Sequence, residues 1–395
     1  MSLSENLAKW AVSRPPRRSK HWDALNDESV IALGGGDPDF DTPEHISQAA
    51  IDAITRGDTH YSPSEGVPAL REAVAKRYLR KYGVEIRPEE VQITSGAANA
   101  LFLAIHSLIR PGDRVVIPQP AMGFIIRQVE LAGGEVLPLW LEHEETLCSR
   151  QKELEKMLAD ARMLICTSPN NPTGRILSED EVRLSANLTE KHDCYLLSDE
   201  VYDEVIFEGA CLTTALSSSR REHVVVVNSL SKTYAMTGWR LGYLIAREPI
   251  RELASELFSY SVTHINTPTQ YAAIAALNDD QTCVANMTRE YEARRDALLG
   301  GLDGIPSIAP WRPEAGLFCF VDISATGLGS HDVCERLLED AHVYTVPGAG
   351  YGVRGDGFIR LTYANADVEE LKEACRRMAE FFSSLETSSS SASTT

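Results

Sequence analysis

Short apolar runs of strand length alternate with segments of helical period over most of the chain. The runs fall at residues 91–94, 114–117, 163–167, 195–198, 224–227 and 241–246, and helix-period stretches at 97–109, 123–132, 152–161 and 178–192 separate most of them. Strands that are apolar throughout are buried on both faces, so the pattern predicts an α/β fold with a mainly parallel sheet between helices. Beyond Arg247 the pattern turns helical as far as Leu302, and a separate α+β stretch at 305–385 carries strand-like runs at 317–321 and 358–363. This predicts a large domain over 46–300 and a smaller one over 301–386, completed by part of an N-terminal segment, 1–45.

Three stretches depart from this texture. Residues 13–20 (S-R-P-P-R-R-S-K) read as a solvated basic arm, 142–150 as a polar loop, and the Ser/Thr/Ala-rich 387–395 as a disordered tail.

Composition narrows the function classes. With 395 residues, 43% of them hydrophobic, the chain can build a sizeable core. A formal charge of −19 argues against nucleic acid or an anionic membrane as the main partner. No run approaches the roughly 18–20 apolar residues of a membrane span, and residues 1–9 lack the apolar stretch of a secretory signal. Eight cysteines stand singly, without C-x-x-C, which predicts reduced thiols in the cytoplasm. The ten histidines show no metal-ligand spacing, so no protein-bound metal is expected.

In parallel sheets ligands bind at the carboxyl ends of the strands, and five such places carry candidate chemistry. Ser95-Gly96-Ala97-Ala98-Asn99 opens a helix whose free N–H groups suit a phosphate. Ser168-Pro169-Asn170-Asn171-Pro172-Thr173-Gly174 is a turn made rigid by proline, with amides to offer a ligand oxygen. Ser198-Asp199-Glu200-Val201-Tyr202 leaves an aspartate at the end of a buried strand, where it needs a cation unless it merely caps a helix. Asn228-Ser229-Leu230-Ser231-Lys232, followed by Trp239-Arg240, sets an amine among hydroxyls and a guanidinium. An amine among phosphate-holding groups is what a pyridoxal phosphate (PLP) Schiff base requires, the aspartate supplying the partner of a protonated pyridine nitrogen. Last, Arg360 lies inside the apolar run Phe358-Ile359-Arg360-Leu361, where a guanidinium needs a carboxylate from the protein or from a substrate.

Each motif alone has a plainer structural reading; the set, in this order, resembles the class I/II aminotransferases of PLP fold-type I, close to their aspartate- and aromatic-type branch. The resemblance runs from about Leu33 to about Phe382 and includes Gly36-Asp37-Pro38-Asp39-Phe40. It implies a large domain with a seven-stranded, mainly parallel sheet, a smaller α+β domain, and PLP as cofactor. It further implies that Lys232 carries the cofactor and moves the substrate's α-proton, Asp199 pairs with the ring nitrogen, and Asn171 and Tyr202 reach the ring oxygen. The phosphate falls to Gly96, Ala97 and Ala98 by their backbone, with Ser229, Ser231 and Arg240. Arg360, with Gly36 and Asn171, takes the substrate α-carboxylate. A tyrosine at position 61 implies a homodimer with shared sites, Tyr61 reaching the other subunit's phosphate.

Two positions depart from the family pattern. Met122, in Pro120-Ala121-Met122-Gly123-Phe124, stands where an aromatic residue usually covers the cofactor ring; its thioether can still pack there, and Phe124 is an alternative. Ala98 stands where some aspartate-specific relatives carry a lysine for a distal carboxylate, leaving only Arg14, Arg17, Arg18 or Lys20 of the arm for that task and favouring a neutral or aromatic side chain. The expected activity is exchange of an amino group between an L-amino acid and a 2-oxo acid. The alternatives are a PLP-dependent lyase or synthase on the same scaffold, and a PLP-binding sensor without turnover.

Overall fold

β-branched and aromatic side chains place the strands. A computed structural model describes residues 27–392; the basic arm at 13–20, with its four cations, lies outside the described residues. The strands are β1 (Ile31–Ala32), β2 (Val91–Thr94), β3 (Arg114–Gln119), β4 (Glu135–Trp140), β5 (Met163–Thr167), β6 (Tyr195–Asp199), β7 (Val224–Ser229) and β8 (Gly242–Ala246), followed by β9 (Ala309–Trp311), β10 (Phe318–Asp322), β11 (Val343–Tyr344), β12 (Val346–Pro347) and β13 (Phe358–Thr362).

Seven of them form one sheet in the order β2-β8-β7-β6-β5-β3-β4. All neighbours are parallel except β8, which runs antiparallel to both β2 and β7. The central strands β7 and β8 are buried along their whole length, as expected of a sheet with helices on both faces. The mainly parallel seven-stranded sheet is the one the resemblance implies.

The pattern of apolar runs misses β4, and the reason is its place at the sheet edge. Glu135 is exposed and Pro138 sits mid-strand, which an edge strand tolerates because one of its sides needs no ladder donor. The last helix is Val368–Ala392; the stretch read as a disordered tail, 387–395, lies in part beyond the described residues.

A second, four-stranded antiparallel sheet has the order β12-β13-β10-β9, and β1 pairs in parallel with β11 beside it. Buried apolar side chains gather around each sheet. Between them lies an aromatic seam of Trp140, Trp311, Phe320, Tyr351 and Phe358, with Phe320 and Phe358 stacked 4.6 Å apart. Among the described residues no helix is long and apolar enough to cross a membrane.

The antiparallel β8 has a positional consequence. Its first residue, Gly242, pairs with Thr94 at the carboxyl end of β2 and with Ser229 at that of β7. A Cβ at Gly242 would stand 2.7–2.8 Å from backbone atoms of Gly96, Ala97 and Asn228. Gly242→Ala should therefore lower the unfolding free energy by about 1–3 kcal/mol, read as a lower urea midpoint; an unchanged midpoint would show that these turns can separate freely.

Candidate functional site

The carboxyl ends of β5, β6 and β7 lie side by side, Thr167 opposite Asp199 and Asp199 opposite Val227. They deliver Asn171, Asp199 and Lys232 to one region. Asp199 is buried, and its side chain accepts a hydrogen bond from the Val201 N–H at 3.3 Å. It has no salt-bridge partner among the described residues, and burial pushes its carboxyl up to about 7.

Lys232 donates from Nζ to the Gly36 carbonyl at 2.5 Å. Burial lowers its amine to about 8, with Asp37 opposing the shift and Arg360 and Arg240 adding to it. An amine near 8 is free base for a useful fraction of the time at neutral pH, as a proton carrier needs.

Arg360 projects from the middle of β13, beside Phe320 and Val346 of the neighbouring strands. It is buried, donates to the Gly34 carbonyl at 2.6 Å and to Asn171 Oδ1 at 3.3 Å, and leaves its Nε buried without a partner. No carboxylate pairs with it among the described residues. The Phe318 and Tyr351 rings face its guanidinium, 4.2 and 5.4 Å from ring centre to Cζ. Asn171 joins the two sides of the site, because its Nδ2 donates to the Tyr202 hydroxyl at 3.4 Å. Burial raises the Tyr202 phenol, which therefore stays protonated at neutral pH.

The phosphate-type groups converge beside this region. Ser229 Oγ donates to Ser231 Oγ at 2.9 Å and accepts from the Ser231 N–H at 3.1 Å. Arg240 immediately precedes the Leu241–Gly242 entry to β8, so the antiparallel strand carries it to the start of the helix Gly96–Leu108. A Cβ at Gly96 would sit 2.7 Å from the Arg240 guanidinium, which would have to shift, and the φ of 74° at Gly96 favours glycine. Arg240 is itself held at φ 53°, a conformation rare for a long side chain and common at ligand sites. The helix start leaves the Ala97 and Ala98 N–H groups without intrahelical acceptors. A cavity of about 700 Å³ opens here, lined among others by Ser95, Trp239, Arg240, His264 and Asn266.

Two predicted residues stand apart. Tyr61 is 85% exposed, its ring edge-on to His264 at the cavity wall. Met122 is half-buried at the start of the helix Gly123–Leu131 and packs against both the large core and the aromatic seam, whereas Phe124 packs against the large core alone. Sequence reasoning overlooked the Gly34 carbonyl, Phe318 and Tyr351. The triplet Gly34-Gly35-Gly36 was the available signal: a Cβ at Gly34 would overlap the Tyr344 ring, and one at Gly36 would lie 2.7 Å from Phe318.

The donor set fits PLP. A buried carboxylate at the end of β6 lacks a cation, an amine of lowered pKa follows the neighbouring β7, Asn171 and Tyr202 offer two neutral donors, and a helix start, two serines and an arginine offer positive or donor groups for a phosphate. A buried guanidinium that lacks a carboxylate completes the arrangement on the far side.

The chain matches the family model described as aminotransferase class I and II over residues 28–378. It is 38% identical over 354 residues to an aspartate aminotransferase of Pyrococcus horikoshii, covering 89% of this chain and 90% of that one. It is 36% identical over 386 residues to aromatic-amino-acid aminotransferase 2 of Thermococcus litoralis, covering 96% and 97%. The crystal structure of an aromatic aminotransferase from Pyrococcus horikoshii superposes with a TM-score of 0.87 at 36% identity, covering 92% of this chain and 99% of that one.

The unpaired Asp199 should be visible in the cofactor-free protein. Its folded pKa, about 7, lies above the ordinary 3.8, so the folded state favours the neutral acid and loses stability as pH rises from about 4 to about 7. In thermal melts of cofactor-free protein, Asp199→Asn should remove that loss and melt higher than the parent at pH 8. Parallel pH curves for the two proteins would mean that Asp199 is already compensated.

Proposed function

The chain belongs to the class I and II aminotransferase family, and from that premise we propose which groups its site holds and which residues do the work. It is an aminotransferase acting on amino acids, and its family generally uses PLP. In our reading Asp199 would hold the ring nitrogen, Asn171 and Tyr202 the ring oxygen, and Met122 would pack on the ring. Gly96, Ala97, Ala98, Ser229, Ser231 and Arg240 would hold the phosphate. Tyr61, exposed in the single chain, would complete the phosphate site of a second copy in a homodimer.

Bound there, PLP supplies an aldehyde that condenses with amines and a cationic ring that accepts the electrons left when a Cα–H bond breaks. Asp199 keeps the ring nitrogen protonated, since a carboxylate with no other cation gains most from a charged partner. Arg360 clamps the α-carboxylate and with Asn171 fixes the orientation of the Cα–H bond. Lys232 Nζ then takes the proton from Cα. Holding both groups in place removes much of the entropic barrier.

The single observation that carries this reading is the pair of buried, opposite charges, Asp199 and Arg360, neither with an ionic partner among the described residues. For the substrate side chain we favour an uncharged, chiefly aromatic group: the rings of Phe318 and Tyr351 surround Arg360, and residue 98 is alanine. Aspartate is the second reading, supported by the relative named for it. Free cysteines throughout fit a cytoplasmic setting.

The test is a half-reaction screen, in which the loaded enzyme is mixed with single amino acids and the aldehyde absorbance is followed. Phenylalanine or tyrosine should convert the cofactor to its amine form stoichiometrically and release no ammonia; ammonia release would point to elimination instead. Arg360→Ala should raise KM and lower kcat/KM by roughly thirtyfold or more, corresponding to about 2–5 kcal/mol for a buried charge pair. An unchanged KM for every amino acid would remove Arg360 from the carboxylate role.

A further inference from the structure

Below the site lies a buried charged cluster that the chemistry above does not use. Asp203 follows Tyr202 directly, and its side chain is fully buried. Its Oδ2 accepts from Arg77 Nη2 at 2.7 Å, from the Tyr82 hydroxyl at 2.7 Å and from Asn228 Nδ2 at 3.0 Å. Arg77 also donates to Glu204 at 2.8 Å, and Lys81 donates to the Asp203 carbonyl at 2.7 Å. Arg77 and Tyr82, with Lys81, all come from the helix Pro68–Tyr82. On the other side, Asn228 Oδ1 accepts from the Ser229 N–H at 2.6 Å.

A buried ion pair seldom adds net stability, because desolvation of both charges offsets their attraction. Its effect here is better sought in geometry. The β6–β7 ladder ends at Asp199 and Val227, with one further backbone bond from the Glu200 N–H to the Val227 carbonyl. Beyond it, among the described residues, no backbone hydrogen bond joins 201–204 to 228–232. The bond from Asn228 to Asp203 is the link that spans the two turns.

We infer that Asp203 and Asn228 are positioning residues that fix the distance between the ring-holding turn, Asp199 to Tyr202, and the phosphate-holding turn, Ser229 to Lys232, with Arg77 anchoring Asp203. This rests on the PLP reading given above. A ligand that engages both turns benefits from their fixed separation, as any two-point binder does. A ligand that engages one turn does not.

The test compares dissociation constants of PLP, 4-deoxypyridoxine (the ring with neither aldehyde nor phosphate, so that it reaches the Asp199 turn alone) and inorganic phosphate for the full-length chain freed of cofactor, in the parent and in Asn228→Ala. That substitution cuts the link and leaves the Arg77–Asp203 pair in place. The advantage of PLP over 4-deoxypyridoxine should fall at least tenfold in the variant, while inorganic phosphate binds within twofold of the parent. If the PLP-to-deoxypyridoxine ratio is unchanged and only the urea midpoint moves, the cluster is merely structural and the inference is overturned. Should Asn228→Ala not fold, Asn228→Leu, which fills the same space without the amide donor and leaves Asp203 paired with Arg77, carries the same comparison with the same two outcomes. A parent chain that binds no PLP would instead refute the cofactor reading, so the two failures are separable.

Discussion

An aspartate and a lysine delivered by adjacent strands into a dry interior, with no ionic partner for either carboxylate or distal guanidinium, set the terms for the rest of this structure. Low-dielectric surroundings make a lone carboxylate costly. Asp199 answers by holding its proton up to about 7, and Lys232 by releasing its own near 8. Both shifts have burial as their largest cause. A ligand with a cationic ring and an electrophilic carbon relieves both at once, and an anionic substrate relieves Arg360.

The fold supplies this arrangement through one reversal of strand direction. Six parallel-type positions alone would leave Arg240 at the wrong end of the sheet. Because β8 runs antiparallel between β2 and β7, its first residues meet the start of the helix Gly96–Leu108 and the serines after β7. Gly96 and Gly242 allow that convergence by having no side chain where backbone and guanidinium crowd together. The second sheet adds Arg360 from the opposite side, and the segment around Gly34 to Gly36 runs between Arg360 and Lys232, its carbonyls accepting from each.

Much of this was legible in the sequence because its signals are local. Six of the seven strands of the large sheet appear as short apolar runs, and Asp199, Lys232 and Asn171 each follow such a run within a few residues. What escaped was set by partners remote in sequence. β4 is an edge strand whose Pro138 and polar positions dilute the pattern, and β1, β11 and β12 are two-residue strands defined only by their pairing. The Arg77–Asp203 contact spans 126 positions, and neither residue lies in a stretch that marks it as buried. Phe318 and Tyr351 read as ordinary core residues until Arg360 is placed against them.

The most direct test of the central claim is borohydride reduction of the protein loaded with pyridoxal phosphate, followed by peptide mapping. The account predicts a stable pyridoxyl label on Lys232 and no other major site. A label on a different lysine, or no label at all, would contradict it.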